Sequence, residues 1–169
     1  MANTYFLISQ VVVTGTQSNI EFTNIPDTYT DLLICHSLRT NRNVYHESIT
    51  LKYNGVTTNQ TYRRVYAVNN LNADNSSGVM YGGQANGSTN TPATAFGTSM
   101  VYISAYTASR AKIALEIGGS ETASTTTIRD QNANIWNSTD PITSITLTPE
   151  NGGTIQTNST AYLYGIKNT

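Results

Sequence analysis

The sequence predicts an all-β chain, a single-domain antiparallel β-sandwich that is jelly-roll-like and spans residues 1–169. Apolar and polar residues alternate at period 2 through most of its length, the spacing of strands with one buried face. Asn, Gly and Pro interrupt these runs at the short intervals of a sandwich or jelly roll, and no run carries a convincing helical period. Polarity comes mainly from Thr, Ser and Asn, and 11 tyrosines stand beside three Phe and one Trp. Thr and Tyr suit a pleated surface with one wet face.

Taken in order, residues 5–13 are apolar on both alternating sets, with Tyr5, Leu7, Val11 and Val13 against Phe6, Ile8 and Val12. That predicts a strand buried more deeply than an ordinary surface strand. Ile20 and Phe22 alternate with Asn19, Glu21 and Thr23 before Pro26-Asp27 turns the chain. Residues 31–38 contain Leu32-Leu33-Ile34-Cys35, a run too short for a helix and suited to a central strand. Ile49, Leu51 and Tyr53 alternate with Ser48, Thr50 and Lys52, and Asn54-Gly55 marks a tight turn. In residues 61–68, Tyr62, Arg64, Tyr66 and Val68 share the side opposite Arg63, Val65 and Ala67, which reads as a strand with a wet or interfacial face.

Residues 69–94 are dominated by Asn, Ser, Gly and Thr and are expected to form an irregular, exposed excursion with one short strand near 79–81. Within 96–106, Val101, Ile103 and Ala105 stand against Met100, Tyr102 and Ser104. The cleanest alternation sets Ile113, Leu115 and Ile117 against Lys112, Ala114 and Glu116, ending at Gly118-Gly119. Residues 127–136 read as a less regular strand anchored by Trp136. The closing stretch, 142–167, gives one strand through Ile145 and Leu147, a stop at Pro149, a reversal at Asn151-Gly152-Gly153 and a return strand over 161–166.

A chain of 169 residues suits one domain with one core. Only 11% of residues are charged and the net charge is -1, so no long-range field steers the chain to nucleic acid or to an anionic membrane, and neither is expected as a partner. Cys35 is the only cysteine, which excludes an intrachain disulfide and suits a small core residue. The opening MANTYFLISQVVVTG lacks the basic region and cleavage site of a secretory signal. No run approaches the roughly 20 apolar residues of a membrane-spanning helix, and synthesis in a cytoplasm is the expectation.

Catalysis needs a constellation, and the candidates are sparse. Cys35 and His36 are neighbours that point to opposite faces of a strand, a poor start for a metal site. No Gly-x-Ser-x-Gly elbow is present. Asp27, Asp31 and Glu47 lie near one another in sequence, yet the first two occupy turn and strand-start positions where Asp bonds local backbone. Gly82-Gly83 and Gly118-Gly119 lack the Lys and Ser/Thr of a phosphate loop and read as turn residues. Arg63-Arg64 between tyrosines resembles a nucleic-acid stacking platform only weakly, and packing or subunit contacts account for it more simply. No enzymatic activity, no cofactor and no metal are therefore expected.

Surface remains. Strands apolar on both sides need a second cover, supplied either by a loop of the same chain or by another chain. Over 161–166, Ala161, Leu163 and Gly165 can face inward while Tyr162, Tyr164 and Ile166 face out, a row suited to a protein interface. The candidate interface residues, toward another subunit or another protein, are Tyr5, Phe6, Ile8, Tyr62, Arg64, Tyr66, Tyr162, Tyr164 and Ile166.

The opening TYFLISQVVVTGTQSNIEFTNIP, the YTDLLI run, the YNG turn followed by YRRV, the closing TSITLTPENGG and the final AYLYGIKNT resemble small virion structural proteins of tailed bacteriophages, the capsid decoration, cement and fibre proteins. The resemblance spans residues 5–167 and rests on pattern and order. It implies a jelly-roll-like domain without enzymatic activity, commonly a homotrimer, made in the host cytoplasm and attached to the capsid exterior through the major capsid protein. The alternative it leaves is a head or tail fibre domain whose loops, 69–94 among them, bind a host-surface receptor or glycan.

Overall fold

The computed structural model describes residues 4–67, 70–88, 94–121 and 127–167. Its twelve strands are β1 (Tyr5–Val12), β2 (Ile20–Phe22), β3 (Asp31–Leu38), β4 (His46–Tyr53), β5 (Gln60–Ala67), β6 (Leu71–Ser77), β7 (Tyr81–Asn86), β8 (Gly97–Ser104), β9 (Lys112–Glu121), β10 (Thr127–Trp136), β11 (Ile145–Pro149) and β12 (Thr160–Ile166). They form two packed antiparallel sheets, an eight-stranded one in the order β1-β12-β3-β8-β9-β10-β5-β6 and a four-stranded one in the order β2-β11-β4-β7. The chain is an all-β sandwich, as its alternation predicts.

The connectivity divides into a frame and two additions. Strands β1-β12-β3-β8 face β2-β11-β4-β7, and the chain passes from one sheet to the other at β1 to β2, β2 to β3, β3 to β4, β7 to β8 and β11 to β12. That eight-stranded, two-sheet path is a jelly roll. Two further antiparallel hairpins, β5–β6 inserted between β4 and β7 and β9–β10 inserted between β8 and β11, extend only the large sheet, beyond β8.

Between the two sheets of the frame the alternation does what the sequence predicts. Ile20, Phe22, Leu32, Ile34, Ile49, Leu51, Val101, Ile103, Ile145, Leu147, Ala161 and Leu163 are fully buried in one cluster. Trp136 packs edge-on against Tyr53, with ring centroids 5.7 Å apart. Asn54 and Gly55 take positive φ values of 52° and 72°, and the Asn54 side chain ties this turn down by accepting from Thr143 N at 2.9 Å and donating to Pro141 O at 2.8 Å.

Four expectations are corrected. A bulge at Ile8, between Leu7 and Ser9, switches the sense of β1, so Val11 faces inward and Gln10 and Val12 outward. The stretch 69–94 holds two strands: β6 is exposed, whereas every residue of β7 is buried. Its Gly, Gln and Asn residues disguise β7 as a loop, but Gly83, at φ 125°, lets the backbone approach β8 so closely that a Cβ there would overlap the Ser99 side chain. Residues 69 and 89–93 of the expected excursion lie outside the described residues. The strand at 127–136 is strictly alternating rather than irregular. Finally, β11 and β12 are not a paired return: β11 pairs with β2 and β4, and β12 with β1 and β3, in opposite sheets.

Candidate interaction surface

The added hairpins carry the alternation turned inside out. Along β9, Ile113, Leu115 and Ile117 are 49%, 56% and 46% exposed, while Lys112, Ala114 and Glu116 are 1%, 1% and 3% exposed. Strand β10 repeats the inversion, with Asp130, Asn132 and Asn134 buried and Ile135 exposed, and so does β5, with Arg64 buried and Val65 exposed. Alternation fixes the period of a strand but not which set faces the core.

Registers place the outward side chains in continuous rows. Leu7, Tyr164, Leu33, Tyr102, Leu115 and Ala133 lie side by side across β1, β12, β3, β8, β9 and β10. In the next row Tyr162, Cys35, Met100, Ile117, Gln131 and Val65 follow one another from β12 to β5. Neither row holds a charged residue before Arg63, opposite Ala133 on β5. Over β3, β8, β9, β10, β5 and β6 the face is hollowed into a trough of about 690 Å³, with Leu33, Met100, Leu115, Ile117 and Val65 among its walls.

Behind the apolar face lies a polar layer. Strand β7 packs across the inner side of β8, β9 and β10. The Arg64 guanidinium donates to both carboxylate oxygens of Asp130, at 2.8 and 2.9 Å, and Gln84 Nε2 donates to Asp130 Oδ2 at 2.6 Å. Burial alone would lower the Arg64 pKa; the Asp130 bonds and charge more than reverse this, and it stands above its usual value. Asn132 Nδ2 donates to Glu116 Oε2 at 2.5 Å. Burial, then the nearby Asp130 charge, raises the Glu116 carboxyl to about 8, so it is largely protonated at neutral pH. Asn134 closes the layer by bonding both the N–H and the C=O of Tyr81, each at 2.9 Å.

The nine residues singled out from the sequence divide between these two sides. Tyr162 and Tyr164 lie half-buried on the outer face with stacked rings 6.4 Å apart, and Tyr5 stands exposed at its edge. Ile166 shares that face but is buried. Phe6 is opposite Gly165, its ring 5.7 Å from Tyr29, and Ile8 packs against the core. Tyr62 and Arg64 are also interior, and Tyr66 lies under the Arg64 guanidinium at 4.7 Å. The wet side of β5 is the Arg63 and Val65 side, because Arg64 reaches its charge partner only within the polar layer. Sequence reasoning missed Val65, Met100, Tyr102, Ile113, Leu115, Ile117 and Ile135. The one signal for them was that each apolar set on β9 and β10 alternates with a set containing acids and amides, both of which need partners.

The chemical candidates are dispersed. Cys35 and His36 sit on opposite faces of β3. His36 Nε2 donates to Gly82 O at 2.7 Å, and burial lowers the ring to about 4, so it is neutral. Asp31 accepts from the Tyr102 hydroxyl and from Ala105 N, both at 2.7 Å, in the large sheet, while Glu47 accepts from Asn151 N at 3.1 Å in the small one. Among the described residues no three His, Cys, Asp or Glu side chains are grouped to hold a metal ion. Compared with family models, with curated proteins and with solved structures, the chain matches none.

Proposed function

We propose that the protein is a bacteriophage capsid decoration or cement protein, a homotrimer that binds the outside of the major capsid shell and stabilises it by bridging neighbouring capsomers. The single observation that carries this reading is the outward apolar face of the large sheet: a jelly roll extended by two hairpins whose apolar sides point away from its own core. Such a face is suited to permanent burial in an assembly. The resemblance of the opening, YRRV and AYLYGIKNT segments to virion structural proteins supports the same reading. Its mechanism is buried area, repeated: an interface of standard size buries on the order of 1,600 Å², and attachment at several points multiplies modest contacts without new chemistry.

A cryo-EM reconstruction of the virion carrying this chain tests the reading. Density for the jelly roll on the shell, in hundreds of copies, is expected. A few copies confined to the tail would overturn it in favour of a fibre domain. The fibre alternative drew on 69–94 as a free loop; within it β6 is exposed and β7 is buried.

A further inference from the structure

We infer that the trough on the outer face of β8, β9, β10 and β5 is covered by a second copy of this chain, so that the protein is an obligate oligomer held together by Met100, Ile113, Leu115, Ile117, Ile135 and Val65. The inference deepens the reading above and rests on its premise that the chain works as an assembly; it assigns the surface that joins the copies.

Area comes first. Each of these six side chains is 42–49% exposed, apart from Leu115 at 56%. Together with Tyr102 they leave open roughly 600 Å² of apolar surface, at the top of the range for the largest apolar patch of a monomer and approaching the roughly 800 Å² that one partner buries in a standard interface. The outer side of β8, β9 and β10 carries no charged side chain among Met100, Tyr102, Ile113, Leu115, Ile117, Gln131, Ala133 and Ile135, and charge enters the trough at its β5–β6 wall, with Arg63 and Asp74. That is the composition of a permanent interface between identical subunits, whose centre excludes charge.

The inversion supplies the second argument. Turning Ile113, Leu115 and Ile117 outward while Lys112 and Glu116 are buried is unfavourable in a lone molecule and favourable only if the outer side is covered whenever the chain is folded. A partner met only on an assembled particle leaves the face bare beforehand. A second copy is present from synthesis at equal concentration. Tyr5, Tyr162 and Tyr164, on the same face but nearer the opposite edge of the sheet, are then left for a different contact.

Size-exclusion chromatography with light scattering on the full chain tests the proposal, alongside Leu115→Glu and the gentler Ile117→Thr, which keeps a β-branched side chain in case the charged variant fails to fold. The wild type is expected at a multiple of 18.3 kDa. Leu115→Glu is expected at the single-chain mass with an unchanged circular dichroism spectrum, and Ile117→Thr to weaken association by about tenfold or more. A wild type at the single-chain mass at micromolar concentration would overturn the proposal, as would folded variants that associate as the wild type does. A wild-type oligomer that fails to bind capsids sustains this inference and removes the decoration reading; a wild-type monomer that binds capsids overturns this inference and the homotrimer, and leaves capsid binding alone standing.

Discussion

Replacing Glu116 with glutamine removes one titrating group from the layer behind the apolar face while keeping an acceptor for Asn132 Nδ2. Burial, reinforced by the charge of Asp130, raises this carboxyl from 4.5 to about 8. The group is protonated in both states below its unfolded pKa, so its contribution to stability is fully present there. As the pH rises the unfolded chain loses this proton first, and stability falls until the folded chain also ionises near pH 8, beyond which the loss is constant. At about 1.36 kcal/mol per pH unit the total loss is at most about 5 kcal/mol, and relaxation of the layer around the carboxylate brings it toward 2–3 kcal/mol. The assay is denaturant unfolding of wild type and Glu116→Gln at several pH values from 4.5 to 9, at one protomer concentration so that mass action does not contribute. The wild-type-minus-variant difference should swing against the wild type as the pH rises and level off near 8. A difference that stays flat across this range would refute the buried-proton account.

Other perturbations test the same architecture. Gly83→Ala places a methyl group into the Ser99 side chain at φ 125°; it should cost several kcal/mol and lower the melting temperature by ten degrees or more, on the order expected for backbone strain plus overpacking. Arg64→Met leaves Asp130 buried without its cation and should destabilise by about 3–5 kcal/mol, whereas Arg64→Met combined with Asp130→Leu should recover much of that in a double-mutant cycle by chemical denaturation. Leu147→Ala, in the centre of the frame, should cost about 2–5 kcal/mol in the same assay. The Cys35 thiol, half-buried with its pKa raised by burial, should react with a thiol reagent more slowly than a free cysteine at pH 8 and reach the free rate only on unfolding.

The frame was legible in the sequence because its strands obey a single rule. Ile49, Leu51 and Tyr53, and Ile145 and Leu147, alternate with polar residues and face the core. Strand β7 was illegible because Gly82 and Gly83 lie against their neighbours with no room for a side chain, and a Gly pair is what a loop and a closely packed strand have in common. The pairing of the closing stretch was misread for a related reason. Asn151-Gly152-Gly153 specifies that the chain reverses, but not whether the next strand joins the same sheet or the facing one. Of the surface, Tyr162 and Tyr164 were found because Ala161, Leu163 and Gly165 are small or apolar enough to identify the inner side. On β9 both sides include residues that can be buried, so local sequence leaves the sense open.

What fixes that sense is the set of bonds made by the buried amides and acids, and this constrains what the face is for. A one-residue shift in β9 and β10 would turn Ile113, Leu115, Ile117 and Ile135 inward and release Glu116, Asp130, Asn132 and Asn134 to solvent, an apolar gain on β9 that is opposed on β10, where Ile128 and Trp136 would turn outward. The shift would break the two Arg64 bonds to Asp130, the Asn132 bond to Glu116 and both Asn134 bonds to Tyr81, and would bury Ile and Leu side chains against the polar residues of β7. Those bonds are each modest in net free energy, and together they hold in place a face whose exposure acts against them. The balance tips decisively when the outer face is also buried, because the apolar gain from covering Leu115 and Ile117 then adds to the polar network instead of competing with it. On the proposal that a second copy fills the trough, the inserted hairpins, which look frustrated in one copy, become consistent at every level.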